Sequence, residues 1–242
     1  MKAMLKIGLG VTLVLQLFGC QLTRAPSEAD AIIARYIEAT GGRAAQEAVN
    51  SMIVKGGAYI ASAGLEADML VYYKNGNYKR VIEVPGMVQV VFGVTGDIAW
   101  QVNPLEGDSV LEGPGAVYQR EDANINALLN WKDTYQSAKV MGEESGATVV
   151  VFTASNGAQR TRHFDKTSGL MTKEIQADPS GGFPPSTFAD YKRVGDITMA
   201  HKLIIESDQG DIEITLEAVE LNAPIDDNNF DIPDVIKSLL AD

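Results

Sequence analysis

The chain has 242 residues, with 20 Lys and Arg against 32 Asp and Glu, a formal charge of −12. That excess of acid disfavours nucleic-acid binding, whose affinity comes largely from basic groups neutralising phosphates, and disfavours a broad attraction to anionic lipid. Cys20 is the one cysteine, which precludes an intramolecular disulfide. The length suits one large all-β domain or two small ones, and no proline-rich or low-complexity linker divides it, so one is expected.

The first residues differ in composition from all that follow. Lys2 and Lys6 form a short basic lead, no acid occurs before Glu28, and residues 7–18 are almost wholly apolar. Such a core is shorter than the roughly 20 residues needed to span a bilayer, and it has the form of a secretory signal peptide over residues 1–19. Leu17-Phe18-Gly19-Cys20 looks like a lipobox, with the small Gly19 before the cut and the thiol of Cys20 ready to carry diacylglycerol. Losing Lys2 and Lys6 with the leader takes the formal charge from −12 to −14. Each buried methylene contributes about 0.8 kcal/mol, so two or three acyl chains on Cys20 would hold the protein firmly on a membrane. By analogy with lipoprotein sorting in Gram-negative bacteria, Gln21 in place of Asp favours the outer membrane, facing the periplasm.

After a tether at 20–26, the domain is expected over residues 27–242. Ser27 offers an N-cap, Glu28 and Asp30 suit the first turn of a helix, and Ile32, Ile33, Tyr36 and Ile37 recur at helical spacing before Gly41-Gly42. A short helical turn at 43–49 follows. From Ser51 the period changes to two: Leu65, Ala67, Met69, Val71 and Tyr73 alternate with more polar neighbours, and Asn75-Gly76 marks a hairpin. Strands are expected at 78–84, 87–93 and 97–103, then a glycine-rich loop at 104–115 and a helix at 120–131. Further strands fall at 135–144, 147–154, 158–164, 170–177, 186–194, 198–206 and 211–221. A short helix after Pro233 ends the pattern. Eleven or twelve strands joined by tight hairpins imply a curved antiparallel sheet that closes or half closes to protect its edges. A half-closed sheet this wide encloses more space than its own side chains fill. The helices near Ser27 and Arg120 are suited to cap that space.

Several segments together resemble the LolA/LolB-like superfamily, the periplasmic carriers and receptors of lipoproteins. They are residues 36–42 (YIEATGG), 96–104 (GDIAWQVNP), 164–170 (FDKTSGL), 190–197 (DYKRVGDI) and 221–233 (LNAPIDDNNFDIP). The resemblance implies an unclosed β-barrel of about eleven strands covered by short α-helices, with an apolar cavity for acyl chains. The expected ligand is an acyl lipid or a lipoprotein, in lipoprotein or lipid sorting to the outer membrane. The alternative is an envelope sensor or assembly subunit that uses the fold for contact with another protein. The receptor of that family uses an exposed apolar residue on a strand-connecting loop, and Met87 is its implied counterpart here.

On this reading the concave face offers Met69, Val71, Tyr73, Val90, Phe92, Ile98, Trp100, Val150 and Phe152 to the ligand, with Ile125, Leu128 and Leu129 from the lid. Apolar side chains suit an apolar chain, because burial stabilises by roughly 25 cal/mol per Å² without directional bonds. The same residues equally serve as an ordinary core. His163 and His201 lack neighbouring metal ligands. Asp226, Asp227, Asn228, Asn229 and Asp231 lack the spacing of a calcium loop, so no metal is expected. There is no G-x-S-x-G elbow and no phosphate-cradling loop; Gly181-Gly182 has no lysine after it. The expectation is a binding protein without cofactor or catalytic residues.

Overall fold

A computed structural model describes residues 27–177, 184–206 and 210–241. The expected signal peptide, Cys20, the expected tether and Gly181-Gly182 lie outside the described residues. Two helices, α1 (Glu28–Ala39) and α2 (Arg43–Glu47), precede five strands and a short sixth: β1 (Ser51–Ile60), β2 (Leu65–Lys74), β3 (Asn77–Val84), β4 (Val88–Thr95), β5 (Ile98–Val102) and β6 (Ser109–Val110). After α3 (Gly113–Asp122) and α4 (Trp131–Thr134) come β7 (Tyr135–Glu144), β8 (Ala147–Ala154), β9 (Gln159–Asp165) and β10 (Met171–Ala177). The series ends with β11 (Ser186–Val194), β12 (Ile197–Ile205), β13 (Ile212–Leu221), a 3-10 turn at Asp227–Phe230 and α5 (Asp234–Ala241).

The strands form one 13-stranded sheet in the order β6-β5-β4-β3-β2-β1-β13-β12-β11-β10-β9-β8-β7, antiparallel throughout and not closed. The first meander runs outward from β1 to the edge strand β6. The chain then crosses to the far edge at β7 and returns strand by strand until β13 pairs with β1. That β1–β13 seam joins the two halves. At Asn75-Gly76 both residues take positive φ (52° and 79°), the requirement of a type I′ hairpin turn.

Period-two alternation sends one side of every strand inward. On the β1–β5 side the inner layer includes Met52, Val54, Met69, Val71 and Val94. On the β7–β10 side it includes Tyr135, Val150, Phe152 and Phe164, with Ile33 and Ile37 of α1 packed on it. Ser27 caps α1 reciprocally: its hydroxyl accepts from the Asp30 N–H (3.1 Å) while Asp30 Oδ2 accepts from the Ser27 N–H (2.9 Å).

The outer surface of the β3–β6 edge is also covered. The 3-10 turn packs on β3 and β4, and α5 packs on β5 and β6. Trp100, Phe230 and Ile236 are buried there, and the Trp100 indole donates to Thr95 Oγ1 (3.3 Å), which in turn donates to the Phe230 carbonyl (2.6 Å). Asp226 accepts from the Asn228 N–H (3.0 Å), and Asp227 pairs with Lys74 (2.6 Å), so this acidic stretch builds and pins the turn.

Two expectations need correction. The helix expected at 120–131 ends at Asp122 and instead begins at Gly113 within the stretch read as loop. Pro114 sits in its first turn, where the missing N–H costs nothing. Beyond Asp122, Asn124 Oδ1 accepts from the Asn126 N–H (2.9 Å), a side-chain turn that competes with helix. Helix resumes only at Trp131. The same loop also hides β6, whose two residues pair with Trp100 and Gln101, so the sheet has one strand more than twelve.

The seam requires a glycine at one position. Register slips between Lys55 and Gly56, and a Cβ on Gly56 would lie 2.1 Å from the Thr215 carbonyl oxygen, whereas one on Gly57 would meet nothing closer than 3.4 Å. Gly56→Ala should therefore lower Tm by several degrees, since such overpacking costs about 1–3 kcal/mol. Gly57→Ala should shift it far less, and equal shifts in thermal unfolding of the two variants would refute this account of the bulge.

Candidate functional site

Between the two inner layers the concave face is incompletely filled. One apolar depression, of about 260 Å³, is lined by β1, β2, β3, β12 and β13, among them Met52, Val54, Met69, Val71 and Leu203, and by Tyr36 of α1. A second, of about 320 Å³, opens beside it toward Asn124 and Ile125, and shares Tyr36, Met52, Tyr73 and Phe188 with the first. A third, of about 220 Å³, keeps Tyr36 and Phe188 but is walled by Glu121, Arg160, Arg162 and Glu174. The three make one groove, apolar at one end and ionic at the other, within the usual range of ligand sites.

The expected cavity residues divide between several places. Met69, Val71 and Tyr73 line the apolar end. Val90 and Phe92 share its face through their pairing with Ile82 and Arg80. Val150 and Phe152 are wholly buried in the other half, where Phe152 meets Trp131 and Tyr135 edge-on or tilted at 5.9 and 5.4 Å. Ile98 and Trp100 lie on the outer surface: Trp100 is paired with Gly93 and rests against it, one residue out of phase with Phe92. Of the lid residues, Ile125 borders the second and third depressions, and Leu128 borders the third. Leu129 is buried against α1's layer, in the turns at 123–130 rather than a helix. Met87 is 69% exposed in the β3–β4 turn.

Sequence reasoning passed over the ionic end. Arg160 and Arg162 alternate on β9 with Thr161 and so share the inward face with Phe164. Arg162 donates to Glu174 Oε2 of β10 (2.7 Å) and to Glu121 Oε1 of α3 (2.8 Å). Arg160 lies 3.0 Å from Glu121, 2.8 Å from Asp122 and 3.4 Å from Glu174. Tyr135 donates to the Glu121 carboxylate, and the two guanidiniums stack on Tyr118 and Phe152 at 5.1 and 4.9 Å. Each charge is thereby paired, though Arg160 Nε and Arg162 Nη1 have no partner among the described residues. The arrangement is a latch: it fastens the last turn of α3, lying across the groove, to the floor of the sheet. Two arginines at alternate positions of β9, in the phase they share with the apolar Phe164, were the available signal.

Among the described residues, no group of three or more His, Cys, Asp or Glu side chains is placed to hold a metal ion. His163 and His201 are buried on separate strands, and His201 Nδ1 lies 3.1 Å from the Met199 carbonyl.

Burial would raise the Glu174 carboxyl, but Arg160 and Arg162 beside it outweigh that and hold it below the usual carboxylate range. A depressed carboxyl adds stability that is present above its unfolded value, about 4.3, and lost as pH falls through the folded value. Glu174→Gln should therefore flatten the acid limb of a Tm-versus-pH curve. At neutral pH it should cost about 3–5 kcal/mol, the usual effect of breaking a buried ion pair. An acid limb of unchanged slope would remove Glu174 from the latch.

No protein-family model matches this chain, and no curated protein matches its sequence. Solved structures do match its shape. A DUF1329 family protein from Desulfovibrio piger superposes with a TM-score of 0.60 at 13% identity, over 84% of this chain and 97% of that one. A LolA superfamily protein from Nitrosomonas europaea superposes with a TM-score of 0.58 at 14% identity, over 84% of this chain and 97% of that one. The chain therefore has a LolA-like fold: a mainly β, unclosed antiparallel sheet with a few short helices.

Proposed function

We propose that the protein binds a hydrophobic ligand, an acyl lipid or the acyl chains of a lipoprotein, in the groove of its concave face. It acts as a binding protein rather than an enzyme. The carrying observation is the unfilled apolar depression lined by Met52, Val54, Met69 and Val71, continuous with the two depressions that the latched end of α3 borders through Asp122. Each methylene moved from water into such a lining contributes about 0.8 kcal/mol, so even part of an acyl chain supplies a useful affinity. Loading proceeds by displacement of the α3 segment and its following turns, and release reverses it. The lipobox at Cys20 supports a lipid-anchored protein of the cell envelope, held on the outer membrane and facing the periplasm.

A second reading, an envelope sensor or assembly subunit, draws on the outward apolar residues Val235, Leu239 and Leu240 of α5 and on Met87. These are suited to contact with another protein.

Lipid mass spectrometry on the full chain, isolated from membranes in a mild non-ionic detergent, separates the two. Stoichiometric acyl lipid or lipopeptide is expected, and its consistent absence would overturn the binding reading in favour of the second. Ala200 lines the apolar depression, and Ala200→Phe should fill it without introducing charge. If the ring excludes about three methylenes, retention should fall roughly 50-fold while the variant stays folded. Undiminished retention in a folded variant would place the ligand elsewhere.

A further inference from the structure

Arg80 differs from the other two inward arginines. It lies on β3 in phase with Tyr78 and Ile82 and lines the apolar depression. Its guanidinium stacks 4.6 Å from the Phe92 ring centre and 6.0 Å from that of Tyr78. It makes no hydrogen bond and no ion pair with any described residue, and its Nε is buried without a partner. Asp122 acts on it only from a distance, and that carboxylate is already bonded to Arg160 (2.8 Å). Tyr73 and Tyr78 line the same wall, their rings 5.1 Å apart. Burial pushes the Tyr78 phenol up to about 12 and Tyr73 higher still, so both remain protonated donors. Neither phenol donates to a described residue.

A cation without a counter-charge is an unfavourable occupant of an apolar wall unless something else completes it. Arginine presents a planar fork matched to carboxylate and phosphate oxygens. In a chain so acidic, a guanidinium on an apolar wall with neither an ion pair nor a hydrogen bond to any described residue is a local exception. We infer that Arg80, flanked by the phenols of Tyr73 and Tyr78, recognises the anionic head of the bound amphiphile, a carboxylate or a phosphate, while its hydrocarbon occupies the surrounding apolar wall. The inference rests on the cavity reading above and adds the class of ligand to it.

Competition tests it. The full chain in non-ionic detergent at pH 8 is offered equal amounts of hexadecanoate and hexadecanol, and separately of a phosphatidate and the diacylglycerol with the same chains. Bound species are read by native mass spectrometry. The wild type should retain the anionic member at least tenfold over its neutral counterpart in one or both pairs. Preference in the first pair indicates a free carboxylate, and preference in the second a lipid phosphate. Arg80→Met should abolish the preference yet still retain the neutral member, and Arg80→Lys should keep part of it. If Arg80→Met does not fold, the combined Tyr73→Phe and Tyr78→Phe variant takes its place and should reduce the preference severalfold. Neutral and anionic members retained equally by the wild type, or a preference that survives Arg80→Met, would overturn the head-group assignment and leave the cavity standing. Retention of neither member would sink the cavity reading itself.

Discussion

Two charges buried on one strand set the terms for the rest of the molecule. Arg160 and Arg162 face the concave side of β9, where water is largely displaced and an unpaired cation is costly. Glu174 on the neighbouring strand compensates part of that charge, and the remainder comes from Glu121 and Asp122 at the end of α3. The arginines of β9 are fully paired only with α3 laid across the sheet. Purely apolar contacts would permit many placements of a segment this short. Directional, charge-assisted bonds to two guanidiniums select one placement.

The topology explains why that placement matters. The segment from 111 to 134 carries the chain from edge strand β6 to the opposite edge at β7, so it has to cross the mouth of the half-barrel. Held down by the ion pairs, it shields part of the groove between the two inner layers. A sheet of this kind has two demands to reconcile, a core firm enough to fold and a hollow soft enough to fill. Here the halves divide them. The β7–β10 side is packed with aromatic rings beneath α1, while the methionine- and valine-lined side under β1–β3 keeps the space. Methionine suits such a lining because its flexible thioether adapts to different neighbours.

Much of the architecture was legible because the signals were local. Alternation and turn residues located the β8 and β11 strands to the residue, and Ser27 with Asp30 announced the first helix. What escaped depended on strand register, turn chemistry and side-chain partners rather than on apolar periodicity. Trp100 sits in a strand whose apolar character is plain, but which surface it faces follows from its pairing with Gly93, and register is not written in composition. The α3 helix was hidden because Gly113, Pro114 and Gly115 suggest a loop, although a proline belongs naturally in a first helical turn. Arg80, Arg160 and Arg162 were each visible as a charge in an inward phase. Only the assembled fold distinguishes the two that are paired from the one that is not.

The seam between β1 and β13 has a bearing on how the molecule comes into being. Ile60 pairs with Ile212 and Met52 with Leu221, partners separated by 152 and 169 residues. At about 5–20 residues per second, a growing chain waits roughly ten to thirty seconds between producing one side of this junction and producing the other. Throughout that interval β1 presents an open backbone edge, the surface on which unfinished sheets stick to one another. Lys55 and the Gly56-Gly57 pair lie in the middle of that edge. A charge and two residues of low strand propensity make it a poor template for a stray strand. The irregularity that fits the finished seam also serves as a guard on the nascent one.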